Sequence, residues 1–241
     1  MNIKIGNLEL GTVPRVVGIV DRMMPAAQIK DFAERGVDIF ELRADLINEP
    51  VDAVIEYAGA LRESVPSPLI GTVRETDSNR SDRVAWYKSL AEYVDCVDIE
   101  LGMPEWCEVA GSIPKSTLIM VSEHDFSGTP DIAGLDDIVR RSLSQGAAVV
   151  KIAVTAACAG DVTRLLRFTE DCKTPLVTMA MGEIGALSRI IAPLFGSLFS
   201  YGYLREPIVP GQLPALKIIS ALNDYFPPRR ACPASSSGER R

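Results

Sequence analysis

The residues able to do chemistry sit in or just beyond short apolar runs. Lys151 lies inside Val149-Val150-Lys151-Ile152-Ala153, with two apolar residues on each side. In a buried strand that position carries a high desolvation cost, which favours the neutral amine. A neutral amine is the nucleophile that forms a Schiff base with a ketone. The alternative is a buried ammonium paired with a carboxylate such as Glu100, or one that snorkels to the strand end. His124 is the only histidine and stands just past another apolar run, in Ser122-Glu123-His124-Asp125-Phe126. Imidazole is suited to proton transfer near neutral pH, although a surface-loop histidine would fit the same position. A histidine and a lysine on neighbouring strands would set a general base beside an imine-forming amine.

Polar residues mark the ends of the other runs. Glu41-Leu42-Arg43-Ala44-Asp45 places Glu41 and Arg43 two apart, hence on one face of a strand. Arg74-Glu75 ends a third run and Asp98-Ile99-Glu100 a fourth. Arg189 lies near the same rim. Arginine suits bidentate carboxylate recognition, and three arginines around a Lys–His pair suit a small carboxylated ketone. Each arginine alone would be a solvated or structural charge. Pro210-Gly211-Gln212 is placed to lay an amide over such a ligand. Asp136-Asp137 reads as a solvated helix start, and Arg22-Met23-Met24 as loop packing. One histidine and scattered cysteines make no zinc site.

These residues need a scaffold that gathers strand ends. Eight runs of apolar residues occur, at 16–20, 38–42, 68–73, 94–99, 116–121, 147–153, 175–179 and 198–201. Rich in Val, Ile and Leu and bounded by turn residues, they suit strands buried on both faces of a parallel sheet. Helical spacing fills the gaps at 26–35, 51–62, 85–93, 135–144, 161–170, 185–194 and 215–225, with a weak helix around 104–110. Eight such units predict a (β/α)8 TIM barrel, an α/β fold with its active site at the C-terminal strand ends. A doubly wound sheet is the alternative, but no glycine-rich phosphate loop follows the first run. Alternation around Gly6-Asn7 predicts an N-terminal β-hairpin within residues 1–12, plugging the barrel floor. One catalytic domain is expected over 1–226, with a disordered tail at 227–241.

Composition narrows the partners. The 241 residues are 47% hydrophobic, with 25 Lys+Arg against 32 Asp+Glu, a net charge of −7. That acidity argues against a nucleic-acid partner, which needs a basic stripe. No apolar run approaches the roughly 18 residues that span a bilayer. Five cysteines are scattered with no CxxC pair, as in a reducing compartment. A cytoplasmic protein with no membrane partner is expected, with a homodimer as its assembly.

Together these segments resemble the type I 3-dehydroquinate dehydratases, the Schiff-base dehydroquinases of the shikimate pathway of aromatic amino acid biosynthesis. The matching pieces are Glu41-Leu42-Arg43-Ala44-Asp45, Thr72-Val73-Arg74, Ser122-Glu123-His124-Asp125-Phe126 and Val150-Lys151-Ile152-Ala153. Met181-Gly182-x-x-Gly185-x-x-Ser188-Arg189, Phe195-Gly196-Ser197 and Pro210-Gly211-Gln212 complete the set, in the family's order. The resemblance implies a barrel that removes water from 3-dehydroquinate without a metal or organic cofactor. Lys151 would match the imine-forming lysine and His124 the general acid/base. Glu41 and Arg43 would contact substrate hydroxyls, Arg189 with Gln212 beside it would bind the carboxylate, and Arg74 would line the pocket. The chain departs from the pattern in three places. Ser78 stands where an acidic residue often follows the third-strand arginine, with Glu75 and Asp77 nearby. Ile208 replaces a serine or threonine four positions before the loop glutamine, and Gly18-Ile19-Val20 has no polar residue before Asp21. A Schiff-base aldolase acting on a keto acid or sugar phosphate is the competing enzyme, and a non-catalytic metabolite binder the third reading.

Overall fold

The computed structural model describes residues 3–226. Its order is β1 (Ile3–Ile5), β2 (Leu8–Leu10), β3 (Arg15–Val20), α1 (Ala26–Glu34), β4 (Ile39–Arg43), α2 (Val51–Ser64), β5 (Leu69–Thr72), α3 (Arg83–Leu90), β6 (Cys96–Glu100) and α4 (Trp106–Ser112). Then follow β7 (Leu118–Asp125), α5 (Ile132–Ser144), β8 (Val149–Thr155), α6 (Ala159–Asp171), β9 (Leu176–Met181), α7 (Ser188–Ile191), β10 (Phe199–Tyr203) and α8 (Ala215–Tyr225). Strands β3 to β10 form one parallel sheet in the order β10-β3-β4-β5-β6-β7-β8-β9. The β9–β10 seam is drawn together by the Leu198 N–H donating to the Leu176 carbonyl at 2.9 Å and the Thr178 N–H donating to Ser197 Oγ at 3.0 Å. The result is the expected (β/α)8 barrel. The tail predicted at 227–241 lies outside the described residues.

Strand alternation divides the apolar residues into two sets. Outward residues such as Phe40, Leu42, Val97, Ile99, Val150 and Ile152 pack under the helices. Inward residues Val17, Ile39, Ile70, Cys96, Met120, Val149, Val177 and Phe199 fill the lower barrel. The β1–β2 hairpin is antiparallel, pairing Ile3 with Leu10 and Ile5 with Leu8. Its Ile5 and Leu10 are buried in that same inner cluster, so the hairpin plugs the floor as predicted. Pro25, Pro50 and Pro214 directly precede α1, α2 and α8, where a missing N–H costs no helical hydrogen bond. Gly202 permits α8 to lie against β10, since a Cβ there would sit 2.4 Å from the Ala215 Cα.

Three expectations need correction. β7 runs to Asp125, so His124 lies within a strand and pairs with Ala153. The strand continues because its partner β8 also runs on, to Thr155, and supplies hydrogen bonds past the apolar core. The helix expected at 185–194 is only Ser188–Ile191 followed by a 3-10 turn at Ala192–Phe195, with Pro193 inside the turn. α5 starts at Ile132, capped by Asp131 accepting from the Gly134 N–H. Asp136 and Asp137 are therefore inside that helix, where Asp137 pairs with Arg140. Met24 does pack into the loop, exchanging hydrogen bonds of 3.0 and 2.9 Å with the Tyr57 hydroxyl.

Candidate active site

Above the apolar floor, the inward positions of five consecutive strands are polar: Glu41 on β4, Thr72 on β5, Asp98 on β6, Ser122 on β7 and Lys151 on β8. All five are buried. A buried polar group must find partners inside the protein, and these find one another. Lys151 Nζ donates to Asp98 Oδ2 at 2.8 Å and lies 3.6 Å from Glu41 Oε1. The Thr72 hydroxyl donates to Glu41 at 2.8 Å. Arg74 donates to Asp98 Oδ1 at 3.0 Å and to Ser122 Oγ at 2.8 Å, and the Ser122 hydroxyl donates to Asp98. Burial alone would raise the Asp98 carboxyl, but the Arg74 and Lys151 cations outweigh it and hold that carboxyl below the usual carboxylate range.

The carboxylate opposite Lys151 is thus Asp98 and not Glu100. Glu100 turns to Arg83, whose guanidinium is buried and also donates to the Val73 carbonyl at 2.9 Å. The sequence reading missed Asp98, Thr72 and Ser122. Asp98 carried a usable signal, since it interrupts Cys96-Val97-Asp98-Ile99 as Lys151 interrupts its own run.

This layer is the floor of a cavity of about 310 Å³ at the C-terminal strand ends. Glu41, Arg43, Arg74, His124, Lys151, Arg189 and Gln212, all seven residues singled out from the sequence, line it. His124 is two residues beyond Ser122, the register partner of Lys151, on the same inward face of β7. Its ring stacks on Phe126 at 6.3 Å between centroids. Loss of water, then the Arg74 and Lys151 cations, hold the imidazole well below its ordinary value, with Asp98 opposing. His124 is therefore neutral at neutral pH, ready to accept a proton. Asp125 accepts from the Ser127 and Gly128 N–H groups and so shapes the following turn. Ser78, Glu75 and Asp77 do not reach the cavity: Ser78 bonds Thr76, while Glu75 and Asp77 pair with Arg80.

Arg189 lines the same cavity from the side of β9 and the loop after β10. The Ser188 hydroxyl accepts from the Ala180 N–H at 2.8 Å and donates to the Gly185 carbonyl at 2.7 Å, which locks the turn before α7 against β9. Arg189 then projects into the cavity, donating to the Gly211 carbonyl at 3.2 Å and touching Met179 Sδ at 3.4 Å. Arg43 pairs with Asp45 and Arg74 with Asp98, whereas no carboxylate among the described residues pairs with Arg189. Burial lowers its guanidinium to about 10. A buried cation without an anion is a receptor for one. Over it lies the loop after β10, where the Ile208 N–H donates to Gln212 Oε1 at 2.7 Å. Gly211 has φ +78°, and a Cβ there would stand 2.0 Å from the Gly182 carbonyl, so only glycine lets the loop come this close. Ile208 and Val209 add an apolar lid to the cavity.

Among the described residues no group of three His, Cys, Asp or Glu could hold a metal ion, and no helix is long and apolar enough to cross a membrane.

With a single histidine in the chain, its titration can be followed without ambiguity. Imidazole NMR from pH 8 to 5 is expected to show His124 still neutral at pH 6, because its folded value is depressed. Protonation therefore waits until the pH falls well below 6.5. A midpoint near 6.5 would contradict the desolvated, cation-flanked position.

Comparison with known proteins agrees with this geometry. The family profile described as Type I 3-dehydroquinase matches residues 17–226. A 3-dehydroquinate dehydratase of Methanocella arvoryzae is 34% identical over 216 residues, covering 87% of this chain and 95% of the relative. One from Methanothrix thermoacetophila is 37% identical, covering 78% of this chain and 81% of the relative. Among solved structures, 3-dehydroquinate dehydratase from Geobacillus kaustophilus superposes with TM-score 0.78 at 27% identity, covering 94% of this chain and 98% of that one. The type I enzyme from Clostridium difficile, solved with covalently modified comenic acid, gives TM-score 0.79 at 26% identity, covering 92% and 96%.

Proposed function

The chain belongs to the type I 3-dehydroquinase family, and from that membership we propose how its residues divide the reaction. The enzyme is a hydro-lyase of the shikimate pathway, removing water from 3-dehydroquinate through a lysine Schiff base to give 3-dehydroshikimate. The family membership replaces the aldolase and binder readings. The observation that carries the assignment of roles is a buried lysine, 2.8 Å from Asp98, at the base of a cavity that also holds a neutral histidine.

Lys151 is the nucleophile. Its ammonium gives up one proton, the freed amine adds to the ketone carbon, and the oxygen departs as water with that proton and a second from nitrogen, leaving a protonated imine. That cation is an electron sink, so the neighbouring C–H becomes acidic enough for imidazole. His124 removes that proton, giving an enamine and an imidazolium. The electron pair then expels the hydroxyl on the next carbon, and the imidazolium gives it the proton as water departs. Hydrolysis of the remaining imine returns Lys151. Asp98 positions the lysine through its hydrogen bond, and Arg74 with Ser122 holds Asp98 in turn. Arg189 takes the substrate carboxylate, with Gln212 beside it. Glu41 and Arg43 face the substrate hydroxyls. No metal or organic cofactor enters this scheme.

We further propose that residues 1–226 act as one catalytic unit, in the cytoplasm, as a homodimer. Cys96, Cys107, Cys158 and Cys172 are all unpaired, in keeping with a reducing compartment. Ile184, Leu187 and Leu194, within one stretch after β9, are large exposed apolar side chains that a second copy would cover. Sedimentation velocity at micromolar concentration is expected to give twice the chain mass; a monomer across that range would remove the dimer.

Borohydride reduction in the presence of 3-dehydroquinate is expected to leave a stable adduct that peptide mapping places on Lys151. Lys151→Ala should give no adduct and no turnover, and near-normal turnover would end the mechanism. His124→Ala should still trap the imine while turnover falls roughly 10²–10⁴-fold; retention of a tenth of the rate would remove His124 as acid/base.

Arg189→Ala is expected to raise KM at least tenfold, as loss of a charge-assisted pair does. An unchanged KM would place the carboxylate elsewhere.

A further inference from the structure

Lys151 has a third neighbour that this scheme does not use. Its Nζ stands over the ring of Tyr201, 4.3 Å from the centroid. Tyr201 is on β10, two strands away, and its side chain is buried and lines the cavity. The ring is fixed edge-on against Phe199, with centroids 5.7 Å apart at 67°. Its hydroxyl is buried with no hydrogen-bond partner among the described groups. A buried phenol ordinarily finds a partner, so no hydrogen bond accounts for how this ring is placed. Its measurable contact with the catalytic layer is the face it turns to the lysine nitrogen.

Resting on the reading of Lys151 as the imine-forming residue, we propose that the Tyr201 ring face is the electrostatic partner of the protonated imine. The step conserves charge. The ammonium and the ketone become a protonated imine and water: a C–N bond forms, the C–O bond breaks, and two ammonium protons leave with the oxygen. One positive charge remains on nitrogen. What changes is the number of donors. The ammonium has three N–H groups for Asp98 and Glu41, whereas the imine nitrogen keeps one. Hydrogen bonding to carboxylates is therefore cut back as the imine forms. A π face attracts a cation without needing an N–H, and it acts strongly where water is excluded. Tyr201 keeps its full hold on the charge while the carboxylates lose hydrogen bonds to it, and so raises the share of enzyme present as imine.

The test replaces Tyr201 by phenylalanine and by mono-, di- and trifluorinated phenylalanine in the full chain. These rings are near-isosteric, and fluorine progressively drains the π face. Borohydride-trapped Lys151 is measured by intact mass at one sub-saturating 3-dehydroquinate concentration, with the unfolding midpoint of each variant. Tyr201→Phe should trap within about twofold of the natural chain. The trapped fraction should then fall stepwise, about 3- to 10-fold by the trifluorinated ring. A flat series would overturn the proposal, because a purely structural ring is indifferent to fluorine. A drop at phenylalanine with no further dependence on fluorine would also overturn it and give the effect to the hydroxyl. Absence of a Lys151 adduct in the natural chain would fell the Schiff-base assignment itself, and the Tyr201 proposal with it.

Discussion

A positive charge held in the middle of a barrel is the constraint around which this molecule is arranged. Lys151 and Asp98 are both buried, with Asp98 wholly without solvent contact. Removing one partner of such a pair costs about 3–5 kcal/mol, because the other is left as an uncompensated charge. Asp98 must therefore be held as firmly as it holds the lysine. Arg74 and Ser122 do so from above and beside, and Thr72 does the same for Glu41. The chain of contacts spans five adjacent strands, so the sheet's register and its catalytic floor are one and the same specification.

The surroundings follow from that layer. Below it, the hairpin and the inward apolar residues close the barrel to water, which keeps the ion pairs strong. Above it lies the cavity at the C-terminal strand ends, lined by both His124 and Arg189. Their environments push the two in complementary ways. His124 is kept uncharged by burial and by neighbouring cations, while Arg189 remains charged with no anion of its own. The cavity thus holds an uncharged imidazole and an unpaired guanidinium, the pair of groups on which the proposed roles rest.

Much of this was legible in the residues. Eight apolar runs separated by helical spacing are enough for a barrel, since few folds use that many parallel strands. Lys151 stood out because a charge inside an apolar run has few explanations. Asp98 obeyed the same logic yet was passed over, because Glu100 two residues later sits at the expected strand end. The interrupted run marks Asp98, but its partner is set in three dimensions: β6 brings Asp98 level with the lysine, while Arg83, arriving from the preceding helix α3, draws Glu100 away. His124 was expected beyond its strand because the apolar pattern stops at Val121, but strand length is set by the partner that supplies hydrogen bonds, and β8 runs on to Thr155. Tyr201 shows no sequence signal beyond alternation, because its significance lies in a lysine two strands away.

The β9–β10 seam carries one more consequence. It has one backbone hydrogen bond and a serine where the other junctions have continuous ladders, so the least hydrogen bonding resists opening at this joint. Arg189 straddles it: its carbonyl accepts from Ser200 on β10, and its guanidinium touches Met179 on β9. On the proposed role of Arg189, a carboxylate seated on that guanidinium would act as a clasp across the gap. Anion binding would then work against local breathing with its own free energy, and occupancy would close the ring more tightly.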